Sequence, residues 1–296
     1  MLNLLLPVFL LAGLGALLVR LPWLRPAWQA GVTELTAKCL VPVLLFVSAY
    51  RTGIPASLSW QVLCAFYLPL ALVFVGARLL AKGSGTGAAT ALAATYSNTV
   101  FMGVPVLVQV LGPDCLQFAY PVIAFHSLFC FTLYYLGDDE APSGRLGAVL
   151  NTLKNPIVAA LLLGLALNLG RIALPAAPLR ALDMLAAAAL PCALLSLGAS
   201  VASLKPGFGG RIGAIVLAKL VLLPLGVMLL AVYAFRLPAA VATVLVVLAS
   251  CPVGINAAFV ASRSGGGAQV VNAAILLSTL VCAATIPAWL WVLGRL

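Results

Sequence analysis

The 296-residue chain has very little charge. Only 7% of its residues are Asp, Glu, Lys or Arg, whereas 64% are hydrophobic, and the mean hydropathy is +1.20. Soluble globular domains are about one quarter charged and about half apolar. The shortage of charge therefore excludes a soluble protein with a large core and indicates a polytopic membrane protein.

Motifs that carry enzyme chemistry or bind metals are also missing. The sequence has no HExxH, no GxSxG and no CxxC, and its seven cysteines lie mostly in apolar runs. The glycine-rich segment 83–87 (GSGTG) lacks the Lys-Ser/Thr ending of a phosphate-binding loop. We therefore expect a protein that is not an enzyme and that has no metal and no cofactor, and we expect any pumping to use gradients.

Ten apolar segments of about 20 residues, the length that a spanning helix needs, fill most of the chain. Spanning strands would alternate polar and apolar residues, and these runs are continuous, so an all-α fold is predicted. The predicted spans cover 2–20, 30–50, 59–80, 87–110, 114–136, 150–170, 178–201, 208–233, 238–262 and 267–292.

The two halves of the chain share a pattern when the sequence is shifted by 149 residues. The aligned residues include Pro7 with Pro156, Gly15 with Gly164, Pro42 with Pro191, and Gly103-Val-Pro105 with Pro252-Val-Gly254. Each half holds five spans, so the second half begins on the opposite side of the membrane. The pattern predicts two inverted five-helix repeats, 1–136 and 150–296, joined by a cytoplasmic linker at 137–149.

Sixteen Lys and Arg against six Asp and Glu give a net charge of +10. The basic residues are scattered singly over many loops, which argues against nucleic-acid binding. Nine of them follow odd-numbered spans and five lie on the other side. By the positive-inside rule, this bias places both termini outside the cytoplasm, across a bacterial inner membrane.

Spans four and nine carry helix-breaking residues near their middle, in the segments 97–107 (SNTVFMGVPVL) and 249–259 (ASCPVGINAAF). A proline inside a helix costs about 3 kcal/mol or more. Unwound backbone is tolerated in a membrane only where it is buried in protein or lines a wet cavity. Broken helices at corresponding places of inverted halves are typical of a transporter's binding site. The alternative is two simple kinks, which Pro and Gly often form in membrane helices.

We therefore predict a substrate site at the two breaks. Half-helices that begin near Pro105 and Pro252 would direct N–H groups and partial positive charge toward it, which favours an anion such as a carboxylate. Side-chain amides can donate and accept hydrogen bonds without bringing charge into the bilayer. The predicted substrate-binding residues are Asn98, Thr99, Gly103, Pro105, Pro252, Gly254 and Asn256.

Two ionisable residues lie inside predicted spans. Lys219 is midway along span eight, where it is either a counter-charge or gating group for an anion, or a lysine that extends its ammonium to an interface. His126, in span five, is the only histidine. It is either a proton shuttle that acts as a counter-charge or gating group, or a neutral, hydrogen-bonded packing residue.

Four segments resemble the bacterial members of the auxin efflux carrier family. They are NTVFMGVPV (98–106), KNPIVAA (154–160), KLVLLP (219–224) and CPVGINAAF (251–259), and the likeness covers essentially the whole chain. The resemblance implies that spans four and nine cross at mid-membrane. It also implies a scaffold of spans 1, 2, 6 and 7 and a transport domain of spans 3–5 and 8–10.

The same resemblance implies a permease for small carboxylates such as malate or malonate, which works by elevator-like alternating access and forms a homodimer through the scaffold. The family's crossover fold is related to that of sodium-coupled bile acid carriers, so a sodium-coupled organic anion symporter is the alternative, and proton coupling also stays open. An alternative of another class is a membrane sensor or scaffold that transports nothing.

Overall fold

The computed structural model describes residues 2–22, 24, 27–52, 60–137, 156–204, 209–261 and 267–295. The regular structure of these residues is helical, as the composition predicts, apart from one isolated β-bridge. Residues 138–149 of the predicted linker lie outside the described part of the chain.

Within these ranges the chain forms fourteen α-helices, several of them joined end to end through short π-helical turns. They are α1 (Leu2–Leu18), α2 (Ala27–Leu35), α3 (Val41–Thr52), α4 (Trp60–Leu80), α5 (Gly87–Thr95), α6 (Val104–Leu111), α7 (Leu116–Gly137), α8 (Pro156–Leu169), α9 (Ala176–Ala202), α10 (Gly210–Leu217), α11 (Leu223–Met228), α12 (Ala239–Ser250), α13 (Asn256–Ala261) and α14 (Gly267–Leu293).

Six helical stretches of the described chain are long and apolar enough to cross a membrane, so the protein is a multi-pass membrane protein. They are Ala27–Arg51, Trp60–Leu80, Pro113–Leu136, Ala176–Ala202, Gly210–Ala234 and Gly267–Leu293. The predicted spans one, four, six and nine correspond to shorter helices. Four and nine are short because each is split in two. The count of ten crossings therefore stays a prediction.

Three π-helical turns each end two residues before a proline. They are Thr36–Leu40 before Pro42, Thr99–Gly103 before Pro105, and Ala218–Leu222 before Pro224. In an α-helix the proline ring would press on the carbonyl four residues back. In each case the residue before the proline instead bonds five residues back, which widens the turn. These prolines are therefore accommodated without interrupting the helix.

Glycines mark the closest helix contacts, where α1 packs on α9 and α3 packs on α8. A Cβ on Gly15 would collide with the Leu195 carbonyl, and one on Gly164 would lie 2.5 Å from the Phe46 carbonyl oxygen. Residue numbers 15 and 164 differ by 149, and so do 46 and 195. The two contacts thus have the offset that the repeat requires.

The helices of the predicted transport domain also pack on one another. α4 packs on α5, α11 on α12, and α14 on both α5 and α12. The middle of α12 is completely buried, from Val244 to Ala249. The packing therefore surrounds α12, one of the two interrupted helices, with other helices of the same group.

Candidate functional site at the crossing of two broken helices

Two helical segments are interrupted, and they meet at their interruptions. Helical backbone is absent from 96–98, between α5 and the π turn that leads into α6, and from 251–255, between α12 and α13. Ser97 and Val253 pair there in an isolated antiparallel β-bridge. The two unwound segments therefore cross each other in direct contact.

The crossing is held by two backbone hydrogen bonds. The N–H of Asn98 donates to the carbonyl of Pro252 at 2.8 Å, and the N–H of Gly254 donates to the carbonyl of Tyr96 at 3.0 Å. Exchanging 96 with 252 and 98 with 254 turns one of these bonds into the other, which is an offset of 156 residues, whereas the predicted alignment used an offset of 149. That alignment is wrong at the crossing, because it matched prolines and glycines by type.

The backbone N–H of each bridge residue donates a hydrogen bond to a side chain of the next long helix. Ser97 N–H donates to Nε2 of His126 on α7 at 2.9 Å, and Val253 N–H donates to Oγ of Ser278 on α14 at 3.0 Å. Because Nε2 accepts, the His126 ring carries its proton on Nδ1, which lies 3.8 Å from Cys130 Sγ. His126 thus holds unwound backbone, which fits the packing interpretation of this residue.

Lys219 holds the other unwound segment. Its side chain is fully buried, and Nζ donates to the carbonyls of Ala249 at 2.6 Å and Cys251 at 2.7 Å. These carbonyls lie at the C-terminal end of α12, where a helix carries partial negative charge. The interpretation of Lys219 as a lysine that reaches an interface is therefore wrong, since its ammonium is enclosed in protein.

A cavity of about 40 Å³ lies beside the crossing. Its lining consists of Ala37, Tyr96, Ser97, Asn98, Thr99, Val100, Phe101, Ile123, Ser127, Ile157, Gly254, Ile255 and Asn256. Five of these thirteen residues come from the unwound segments and three from the π turn Thr99–Gly103, whereas Ala37 and Ile157 come from the helix group that contains α1, α3, α8 and α9. The cavity therefore lies between the two groups of helices.

The structure brings four of the seven predicted binding residues to this cavity, namely Asn98, Thr99, Gly254 and Asn256. Gly103, Pro105 and Pro252 do not line it. Pro105 lies inside the continuous helical segment Thr99–Leu111, so the predicted half-helix start near Pro105 is wrong by six residues. The lining residues Tyr96, Ser97 and Ser127 were missed, although two of them directly precede Asn98.

Asn98 has one satisfied and one unsatisfied polar group. Its Oδ1 accepts the N–H of Phe101 at 3.1 Å and so caps the helical segment that follows. Its Nδ2 is buried and has no hydrogen-bond partner among the described residues, and the same is true of the Ser97 hydroxyl. Leaving a buried donor unpaired costs about 1–3 kcal/mol. Two such groups beside one cavity make it a candidate ligand site.

The two glycines at the crossing have packing roles. A Cβ on Gly254 would lie 2.5 Å from the Tyr96 ring, and one on Gly103 would lie 2.8 Å from Leu248 Cδ2. Tyr96 itself stacks on the His126 ring at 5.0 Å between centroids. The absence of side chains therefore lets the two unwound segments approach closely.

Comparison with known proteins agrees with this architecture. The model of the family described as "Membrane transport protein" matches residues 146–290. A protein of Rhizobium meliloti (strain 1021) named "Putative malonate transporter" is 28% identical over 309 aligned positions, which cover 98% of this chain and 95% of that protein. These two matches agree with the resemblance of the chain to the auxin efflux carrier family. This carrier is accordingly a secondary transporter and not an enzyme.

Adding one methyl group at the crossing is expected to damage the carrier. In Gly254→Ala the new Cβ would overlap the Tyr96 ring, which cannot retreat because it is stacked on His126. Overpacking of this kind costs about 1–3 kcal/mol. Thermal unfolding of the purified protein should show a lower midpoint than the wild type. Gly213→Ala on α10 is the control, because a Cβ there meets no atom within 4 Å. An equal midpoint in both variants would contradict the close approach.

Proposed function

We propose that this carrier moves small organic anions, namely carboxylates such as malonate, across the bacterial inner membrane through the crossover cavity. The observation that carries the proposal is the pair of unpartnered polar groups, Asn98 Nδ2 and Ser97 Oγ, at one small cavity. A carboxylate offers several acceptor sites to such donors. The name of the Rhizobium relative agrees with this class of substrate.

The electrostatics of the cavity favour an anion. The helical segment Thr99–Leu111 begins at the cavity, and the N-terminus of a helix carries partial positive charge. Among the described residues, the lining contains no Asp or Glu that would repel a carboxylate. Nearby, the buried ammonium of Lys219 supports the crossing, and no carboxylate of the described residues is ion-paired with it. These features attract a negative solute without placing a charged side chain in its path.

Elevator-like alternating access fits the position of the cavity. In this proposal, spans 1, 2, 6 and 7 form the scaffold of a ten-span inverted repeat, and spans 3–5 and 8–10 carry the crossing. The cavity of about 40 Å³ is much smaller than ordinary small-molecule pockets, which are about 300–1,000 Å³. Entry of a dicarboxylate therefore requires the scaffold side, represented by Ala37 and Ile157, to separate from the crossing.

Dimerisation through the scaffold is a further part of the proposal. The segment 185–191 of α9 (LAAAALP) offers the small side chains that favour close packing of helices in membranes. Met184, just before this segment, is 77% exposed, and Leu185, its first residue, is 41% exposed. This face of α9 is the surface on which we place the partner copy.

Ligand binding tests the proposed function directly. The purified carrier is expected to unfold at a higher temperature in the presence of malonate, because a ligand that binds only the folded state stabilises it. Malonamide, which has the same carbon skeleton without charge, is the control and should give no shift. Carboxylate uptake into liposomes that contain the protein should accompany binding. If no carboxylate shifts the unfolding temperature and none moves under any gradient, the sensor or scaffold alternative is favoured.

A further inference from the structure

The ammonium of Lys219 lies at a place where backbone carbonyls converge. Nζ is within 2.7 Å of the carbonyl oxygens of Ala249 and Cys251, and the residue has no exposed surface. Hydrogen bonds of this length are typical of a charged donor. One of the two carbonyls closes α12, and the other belongs to the unwound segment, so the lysine bridges the helix end and the crossing.

No carboxylate neutralises this lysine within the described part of the chain. The ion pairs there join Lys38 to Glu34 and Arg51 to Asp183. Among the residues that the structure describes, the titratable groups close enough to interact with Lys219 are the imidazole of His126 and the thiols of Cys130, Cys251 and Cys282. The charge of Lys219 is therefore balanced by carbonyl dipoles and by the negative end of α12.

Contacts of the π turn that contains Lys219 also fix the position of this residue. It lies in the π turn Ala218–Leu222, and the next residue, Leu220, accepts a hydrogen bond from Nε1 of Trp289 on α14 at 2.9 Å. The π turn packs on both α12 and α14. The lysine is thus attached to helices of the same group that carries the crossing, and the whole arrangement can move together.

Carbonyl groups at the C-terminal ends of half-helices and in unwound segments are the ligands that broken-helix transporters offer to coupling cations such as Na⁺. We propose that Lys219 is a built-in cation which occupies this carbonyl site, so that the carrier moves its anion without sodium. This inference rests on the proposed function and refines it. Because the ammonium group already occupies the carbonyls that would bind Na⁺, the inference argues against the sodium-coupled alternative.

The first test compares the wild type in sodium and in choline. Carboxylate flux into liposomes and thermal stability are both expected to be unchanged when choline replaces all of the sodium. Loss of flux in choline would overturn the inference. This comparison needs no variant, so it decides the question even if every substitution of Lys219 prevents folding.

The second test removes the built-in cation and supplies a free one. Lys219→Ala leaves the carbonyls of Ala249 and Cys251 unpaired and opens space beside them. In choline, its half-life at elevated temperature should fall by about tenfold or more, as expected when a buried partner of a charged group is removed. Sodium, potassium or methylammonium should restore most of that loss.

Two control variants make the result specific. Lys219→Met fills the same space without charge, so it should be destabilised and should not respond to added cations. Lys82→Ala removes an exposed lysine and should behave as the wild type does. If Lys219→Ala responds to cations no more than Lys219→Met does, the carbonyls are not a cation site and the inference is wrong.

The stability measurements are independent of substrate, so the two proposals can fail separately. Cation rescue of Lys219→Ala in a protein that binds no carboxylate would retain the inference and remove the proposed function. Carboxylate transport that stops without sodium would retain the proposed function and remove the inference.

Discussion

Asn98→Ala is expected to weaken malonate binding by about tenfold to a hundredfold while the protein remains folded. The buried Nδ2 has no partner among the described residues, and in the proposed function a bound carboxylate is the acceptor that satisfies it. A hydrogen bond to a charged group contributes about 1.5–3 kcal/mol, and each 1.4 kcal/mol is about a tenfold change in the dissociation constant. Isothermal titration of the purified protein with malonate measures the change.

Two further variants separate binding from helix capping at this position. Asn98→Asp keeps an oxygen that can cap the N–H of Phe101 but replaces the donor by a negative charge, so it should bind malonate more weakly than Asn98→Ala. Gln109→Ala removes an exposed amide from the same helical segment and should leave affinity unchanged. Wild-type affinity in both Asn98 variants would show that the amide is a packing group.

Gly15→Ala and Gly164→Ala are expected to destabilise the carrier strongly and by similar amounts. A methyl group on Gly15 would collide with the Leu195 carbonyl of α9, and one on Gly164 would crowd the Phe46 carbonyl of α3. Backbone cannot move aside as a flexible side chain can, so each pair of helices must separate, at a cost of about 1–3 kcal/mol or more. Chemical denaturation in detergent micelles measures both losses.

The matched control for these variants lies two residues away. Gly13 is exposed on α1, and a Cβ there meets no atom within 4 Å, so Gly13→Ala should be neutral or slightly stabilising. Similar losses in the other two variants would also support the inverted repeat, since the two contacts share one offset. A large loss in only one of them would argue against equivalent halves.

The positions of the helices could be predicted from sequence because hydropathy alone marks them. Apart from the start of span six, which falls outside the described residues, each predicted end lies within three residues of the helix end in the structure. The interruptions were also predictable, because Pro and Gly near the middle of an apolar run have no other common explanation than a kink or a break.

The exact place of the first interruption could not be predicted from residue types. Pro105 carries the strongest local signal, yet a π turn accommodates it and the chain unwinds at 96–98 instead. A π turn depends on how the helix packs, and the residue types at Thr99 and Gly103 do not predict one. The hydrogen-bond acceptors of Lys219 could not be predicted either, because they are backbone carbonyls, which every residue has.

The mutual hydrogen bonds of the two unwound segments also limit how the protein can move. Drawing Tyr96 away from Gly254, or Asn98 away from Pro252, would expose backbone groups inside hydrocarbon, at several kcal/mol for each. Both interrupted helices must consequently travel as one rigid body. In the proposed elevator cycle, the substrate is therefore selected by one cavity of constant shape, and the surrounding helices determine only which side of the bilayer that cavity faces.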